Sequence, residues 1–216
     1  MLHYVLLAFG SSFCDSMNTD LTIYNPISLI SKPDWIAMET LDCYGGEMWT
    51  FWNESSHIFR FSKVFTSLEC HVLKDIVDRI EPSNSSSLQC ITDGLQLPLW
   101  LSHTMQRIYY CLEKSYGRPI INHVPEKTTI SRHLNGSHLG WHYDKLFEQE
   151  FLKACIYLAD STGVDFYGGP GQKVLKVAPN QGDVVIFDMA LRHRSNPAIK
   201  LKTKYVIGLR LGFNNI

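Results

Sequence analysis

The chain has 216 residues, with 20 basic and 21 acidic side chains for a formal net charge of −1, and 45% of it is hydrophobic. That length suits one domain, or one domain with an extension, and the apolar fraction excludes a disordered chain. Near-neutrality argues against a protein that coats nucleic acid with its whole surface, and no run reaches the ~20 apolar residues of a membrane span.

From the N-terminus, Tyr4 to Phe9 is apolar but short, and no Lys or Arg precedes it. A cytoplasmic protein is expected, with secretion left open by that segment. Residues 1–57 read as an N-terminal extension. Residues 10–57 are irregular and aromatic-rich, and Trp35, Tyr44, Trp49, Phe51 and Trp52 can either pack under the main domain or close over a substrate. The domain proper runs from 58 to 216. Ile58–Val64 alternates as a strand, and Thr66 or Ser67 then caps a helix whose apolar stripe is Leu68, Val72, Leu73, Ile76, Val77 and Ile80. Glu81–Ser87 is a loop, and a second helix runs from about Pro98 to Lys114, ended by Gly117 and Pro119.

After Pro119 the period changes from helix to strand. Candidate strands are Ile120–Val124, Thr128–Leu134, Phe151–Leu158, Val164–Tyr167, Val174–Val177, Val184–Phe187 and Lys204–Leu211, separated by Gly-, Pro- and Asn-rich turns. Two helices followed by seven or more short strands predict an α+β fold, a β-sandwich or barrel buttressed by helices on one face. The cysteines at 14, 43, 70, 90, 111 and 155 show neither zinc-knuckle nor redox-pair spacing and read as buried free thiols. The Asn-x-Ser triplets at Asn53, Asn84 and Asn135 matter only in a secreted protein.

Charge is graded along the chain. Residues 1–100 carry 5 basic and 12 acidic residues, 101–169 carry 7 of each, and 170–216 carry 8 basic and 2 acidic. A basic C-terminal end suits a solvated edge or an anionic ligand equally well.

His142-Tyr143-Asp144 is the chemical focus. With nine His and twelve Asp in the chain, chance alone gives roughly half of one such His-x-Asp spacing, so the tripeptide needs its context. In an extended segment, residues i and i+2 point to one side, so His142 and Asp144 can ligate one metal. A third ligand must come from a neighbouring strand, and His193 stands in strand-rich sequence. Two His and one carboxylate on one face leave three adjacent positions open, the donor set of non-haem Fe(II) oxygenases. A 2-oxoglutarate co-substrate needs a buried cation for its far carboxylate, and Lys204 follows His193 on the next strand.

The ordered series of motifs resembles the Fe(II)/2-oxoglutarate-dependent dioxygenase superfamily, most closely its prolyl 4-hydroxylase-type branch, over about Ile58 to Phe213. The similar segments are residues 61–80, His133–Asp144, Phe151–Asp160 with Ile156-Tyr157-Leu158, Asp165-Phe-Tyr-Gly-Gly169, Pro179–Phe187 and His193–Tyr205. The resemblance implies a double-stranded β-helix (jelly-roll barrel) behind N-terminal helices. It implies Fe(II) held by His142, Asp144 and His193, with 2-oxoglutarate and O₂ as co-substrates and ascorbate as a candidate addition. The reaction implied is hydroxylation of an unactivated C–H in a peptidyl or small-molecule substrate, with release of succinate and CO₂.

Two departures qualify the co-substrate residues. His133 stands where the branch usually has a tyrosine. Lys202 and Lys204 both fall where the basic residue is expected; Lys204 precedes Tyr205 as the pattern requires, and Arg210 is the runner-up. On one strand Lys204 and Arg210 share a face but lie about 20 Å apart, so only one can hold the carboxylate. Two other readings remain open: a cupin-type metal oxygenase that works without 2-oxoglutarate, and a non-catalytic binding module. No nucleic-acid or membrane partner is expected, and the oligomeric state is open.

Overall fold

The computed structural model describes residues 36–41, 47–52, 57–80, 89–93, 97–122, 127–133, 137–144, 151–168, 173–197 and 203–213. In chain order the elements are β1 (Ile36–Leu41), β2 (Glu47–Trp52), β3 (His57–Phe61), α1 (Ser67–Asp78), β4 (Gln89–Asp93), α2 (Leu99–Tyr116), β5 (Ile120–Asn122), β6 (Lys127–His133), β7 (Phe151–Tyr157), β8 (Val164–Phe166), β9 (Leu175–Val177), β10 (Val184–Asp188), β11 (His193–Ser195) and β12 (Lys204–Phe213).

Thr66 starts α1 with a capping box. Its hydroxyl accepts from the Glu69 amide at 3.2 Å, and the Glu69 carboxylate accepts from the Thr66 amide at 2.7 Å. The buried stripe is Cys70, Leu73 and Val77, with Ile76 and Ile80 half-covered. Leu68 and Val72, expected in that stripe, are 74% and 40% exposed. At 100° per residue they lie on the side of the helix away from the 70/73/77 line that meets the sheet. Helix α2 ends as predicted at Gly117, whose φ of +64° lets its amide bond the Glu113 carbonyl at 2.7 Å.

All strand pairs are antiparallel. The large sheet has the order β1-β2-β3-β10-β7-β12-β6-β4, with β5 on the end of β12, and the small sheet has the order β11-β8-β9. Strand alternation gives the large sheet two different faces. Ala154, Ile156, Leu158, Val184, Ile186, Ile207 and Leu209 pack under α1 and α2. Cys155, Tyr157, Val185, Phe187 and Val206 pack against Val164, Phe166 and Val177 of the small sheet. This is the jelly-roll arrangement buttressed by helices. Among the described residues, an isolated bridge between His142 and His193 ties the segment before β7 to the small sheet, and the two sheets are not joined into a closed barrel.

The Gly182-Asp183 turn is fixed twice over. Gly182 has φ +86°, and a Cβ there would lie 2.1 Å from the Phe65 carbonyl, so only glycine fits. Asp183, 1% exposed, accepts from Arg60 Nε and Nη2 at 2.9 and 2.6 Å and from the Lys63 and Asn180 amides at 3.0 and 2.9 Å. This carboxylate clamps β3, β10 and the turn before it. Asp183→Ala strands the Arg60 guanidinium and two amides. Because Arg60 is partly solvated, the expected loss is about 2–3 kcal/mol, a fall in melting temperature of roughly 5–10 °C on a thermal scan.

Four strands differ from the sequence reading. The stretch read as irregular contains β1 and β2, which extend the sheet past β3; β4 and β11 were not anticipated. Met48 and Thr50 are buried, and Trp49 stacks on Phe51 at 6.4 Å. Phe51 packs against the core between the sheets. Trp35, Tyr44, the three Asn-x-Ser sites and Lys202 lie outside the described residues. Cys70 and Cys155 are free and buried, but Cys111 on α2 is disulfide-bonded, which corrects the expectation of six free thiols. Close approach in the fold made that pair, and spacing along the chain does not reveal it. None of the described helices is long and apolar enough to cross a membrane.

Candidate metal centre

His142 and His193 are cross-strand neighbours. The His142 amide donates to the His193 carbonyl at 2.9 Å and the His193 amide returns the bond at 3.0 Å. Directly opposed residues of an antiparallel pair put their side chains on one face, and the two rings lie 4.3 Å apart. Two residues on, the Asp144 amide donates to the Met189 carbonyl at 3.1 Å, which brings its side chain to the same face.

His142 Nδ1 is 2.7 Å from the Gly140 carbonyl, and His193 Nδ1 is 2.9 Å from the Leu191 carbonyl. A carbonyl only accepts, so each Nδ1 carries a proton, and Nε2 is the nitrogen that a neutral ring held this way offers a metal. Burial favours that neutral form for His142. The His142 Nε2 stands 3.7 Å from Asp144 Oδ1, and the His193 Nε2 stands 3.3 Å from Asp144 Oδ2. Ligand atoms of all three residues fall within 4.8 Å of one another. Two imidazole Nε2 atoms and a carboxylate converging on one space make a donor set that suits Fe(II).

Asp144 is 14% exposed. Burial alone pushes its carboxyl up. The charge of Lys153, whose Nζ is 2.8 Å from Oδ2, outweighs that and holds it far below the usual carboxylate range.

From His193 a cavity runs between the sheets to Lys204, lined along the way by Lys153, Thr129, Ser131, Tyr157 and His133. Lys204 is 4% exposed; its ammonium donates to the Gly163 carbonyl at 3.1 Å and lies 5.8 Å from the centre of the Tyr157 ring. Among the described residues no carboxylate pairs with it. Burial lowers its pKa to about 8. His133 faces Lys204 across the β6–β12 register, and burial, with Lys204 adding to it, lowers the His133 pKa to about 4. Arg210 is half-buried, stands opposite Lys153 in register, and does not line the cavity.

His133 gives a signed pH dependence. Below about 6.5 the unfolded chain takes up a proton that the folded chain refuses until about pH 4. Stability is therefore full above pH 6.5 and declines as pH falls towards 4, by up to ~3 kcal/mol from this group. His133→Asn should flatten the difference between melting temperatures at pH 7.5 and 5.0 relative to the wild type.

Sequence reasoning missed Lys153 and the Gly163 carbonyl. The first has a local signal: a lysine alternating with Cys155 and Tyr157 in an otherwise apolar strand faces the inside. Trp141 and Tyr143, which flank His142, do not line the cavity. Trp141 packs on Tyr167, Arg192 and Arg194, and Tyr143 is 59% exposed.

No family model matches the sequence, and no curated protein does. Solved structures do match in three dimensions. HygX from Streptomyces hygroscopicus, solved with nickel and 2-oxoglutarate, is 12% identical with a TM-score of 0.57, over 72% of this chain and 82% of that one; it has also been solved with hygromycin B bound. An oxidoreductase of the 2OG-Fe(II) oxygenase family from Burkholderia pseudomallei is 16% identical with a TM-score of 0.53, over 72% and 84%. A collagen prolyl hydroxylase of Paramecium bursaria chlorella virus-1, in complex with 2-oxoglutarate, is 14% identical with a TM-score of 0.52, over 74% and 96%. The chain has the jelly-roll fold of the Fe(II)/2-oxoglutarate-dependent oxygenases.

Proposed function

We propose that this protein is an Fe(II)- and 2-oxoglutarate-dependent dioxygenase that hydroxylates an unactivated C–H of a peptidyl or small-molecule substrate. The observation that carries the reading is one cavity lined both by His193 of the His-Asp-His cluster and by Lys204, a buried lysine that no carboxylate among the described residues pairs with. His142, Asp144 and His193 would hold the iron, and Lys204 would hold the far carboxylate of 2-oxoglutarate. When bound, the iron would activate O₂, with two of the four electrons it takes coming from 2-oxoglutarate, which leaves as succinate and CO₂, and two from the substrate C–H, which becomes C–OH.

The chain's own residues do the rest. The Gly140 and Leu191 carbonyls fix the tautomer and aim of the two imidazoles. Lys204, buried among Tyr157 and His133, carries a desolvation cost that an incoming carboxylate offsets. The readout is succinate formed from 2-oxoglutarate in the presence of Fe(II) and O₂, with ascorbate as an optional addition. Metal-bound protein that never yields succinate contradicts the reading and favours a cupin-type oxygenase or a binding module. The HygX complex and the viral prolyl hydroxylase mark a small molecule and a prolyl peptide as the first substrate classes to assay.

A further inference from the structure

Lys153 occupies an expensive place. It sits on β7, a central strand of the large sheet, on the face turned to the cavity, and its side chain is 14% exposed. An apolar residue would pack there at lower cost, since an ammonium withdrawn from water needs a partner of opposite charge. Its partner is Asp144 Oδ2, at 2.8 Å, the same oxygen that His193 Nε2 approaches to 3.3 Å. The neighbouring strand makes room for it. Gly208 on β12 faces the lysine stem, and a Cβ at that position would stand 3.1 Å from Lys153 Cε and 3.4 Å from Thr129 Cβ. The slot thus places a monovalent cation where the carboxylate meets the two imidazole Nε2 atoms.

We propose that Lys153 is a positioning residue that stands in for the metal. It holds Asp144 in its ligand position before metal arrives, and it gives up that oxygen when the ion binds. The inference rests on the metal-centre reading above. Two consequences follow from charge. Without Lys153, metal-free protein keeps the Asp144 carboxylate buried without the ammonium it pairs with, so it is less stable. With Lys153, an incoming divalent ion must displace an ammonium and bind beside it, so affinity is lower than the donor set alone would give. At a separation of a few Å inside a protein that repulsion is large enough to change affinity by about tenfold or more.

The test is anaerobic Co(II) titration, followed by calorimetry and by the visible absorption of the ion, on full-length wild type, Lys153→Met, Lys153→Gln and the charge-keeping Lys153→Arg. Each protein is also melted with and without metal. The expected result is at least about tenfold tighter Co(II) binding by both neutral variants and a wild-type-like constant for Lys153→Arg. Metal-free neutral variants should melt lower than wild type, and saturating Co(II) should close that gap. If the neutral variants bind Co(II) no more tightly than wild type, Lys153 is a bystander and the inference falls while the metal centre stands. If no protein in the series binds Co(II) at this site, the metal-centre reading falls and the inference with it.

Discussion

Asp144→Ala is expected to abolish 2-oxoglutarate turnover while leaving the fold in place. Residues that merely support a metal ligand cost 10–100-fold in affinity or activity when removed, and Asp144 supplies a ligand oxygen itself. Its backbone contribution, the bond from its amide to the Met189 carbonyl, survives the change. Lys153 loses its partner, and its long stem can carry the ammonium towards water. The melting temperature should therefore move by only a few degrees while succinate formation drops beyond detection. Iron binding, measured on desalted protein, should fall in parallel. A variant that loses the metal but still makes succinate would separate the His-Asp-His cluster from the chemistry.

Lys204→Met carries the second large effect, and it should appear in one parameter. A buried, charge-assisted pair broken from one side costs about 3–5 kcal/mol, so the concentration of 2-oxoglutarate for half-maximal rate should rise by roughly two to three and a half orders of magnitude. The variant protein without co-substrate should be no less stable than the wild type, because burial already disfavours the charged lysine and lowers its pKa to about 8. The primary substrate's half-saturation should move little. Unchanged 2-oxoglutarate dependence would instead favour an oxygenase that does without this co-substrate, or move the anchor to another cation. Arg210→Met serves as the comparison, since Arg210 does not line the cavity.

Much of this was legible before the fold was known. The Thr66 cap, the Gly117 stop and the alternating runs from Ile120 onwards are local signals, and local signals set those elements. The spacing of His142 and Asp144 works because strand geometry is periodic, whatever the rest of the chain does. What escaped has non-local causes. Strands β1, β2 and β4 take their conformation from an adjacent edge, and Trp49 and Phe51 read as loop aromatics until β3 is beside them. Strand β11 is three residues long and exists through its pairing with β8 and its bridge to His142. The Cys111 disulfide likewise follows from proximity in space.

The site shows the same division. His193 needed a partner strand to meet His142, and the sequence named the residue without supplying the two reciprocal backbone bonds that align them. Lys153 went unread because its meaning comes from Asp144 nine residues earlier and from the absent side chain at Gly208 on another strand. Lys204 and Arg210 could be ranked by motif, but their separation into a cavity-lining residue and a half-buried one comes only from the two-sheet packing. The acidic N-terminal half and basic C-terminal end acquire one specific element in this frame, the buried ammonium of Lys204.

The most direct test of the central claim is anaerobic addition of Fe(II) and then 2-oxoglutarate to the purified chain, followed by visible difference absorption. The account predicts a weak charge-transfer band that requires both additions, is missing in Asp144→Ala, and gives way to succinate when O₂ is admitted. A wild-type protein that binds Fe(II) stoichiometrically, yet shows neither the band nor succinate at saturating 2-oxoglutarate, would contradict it.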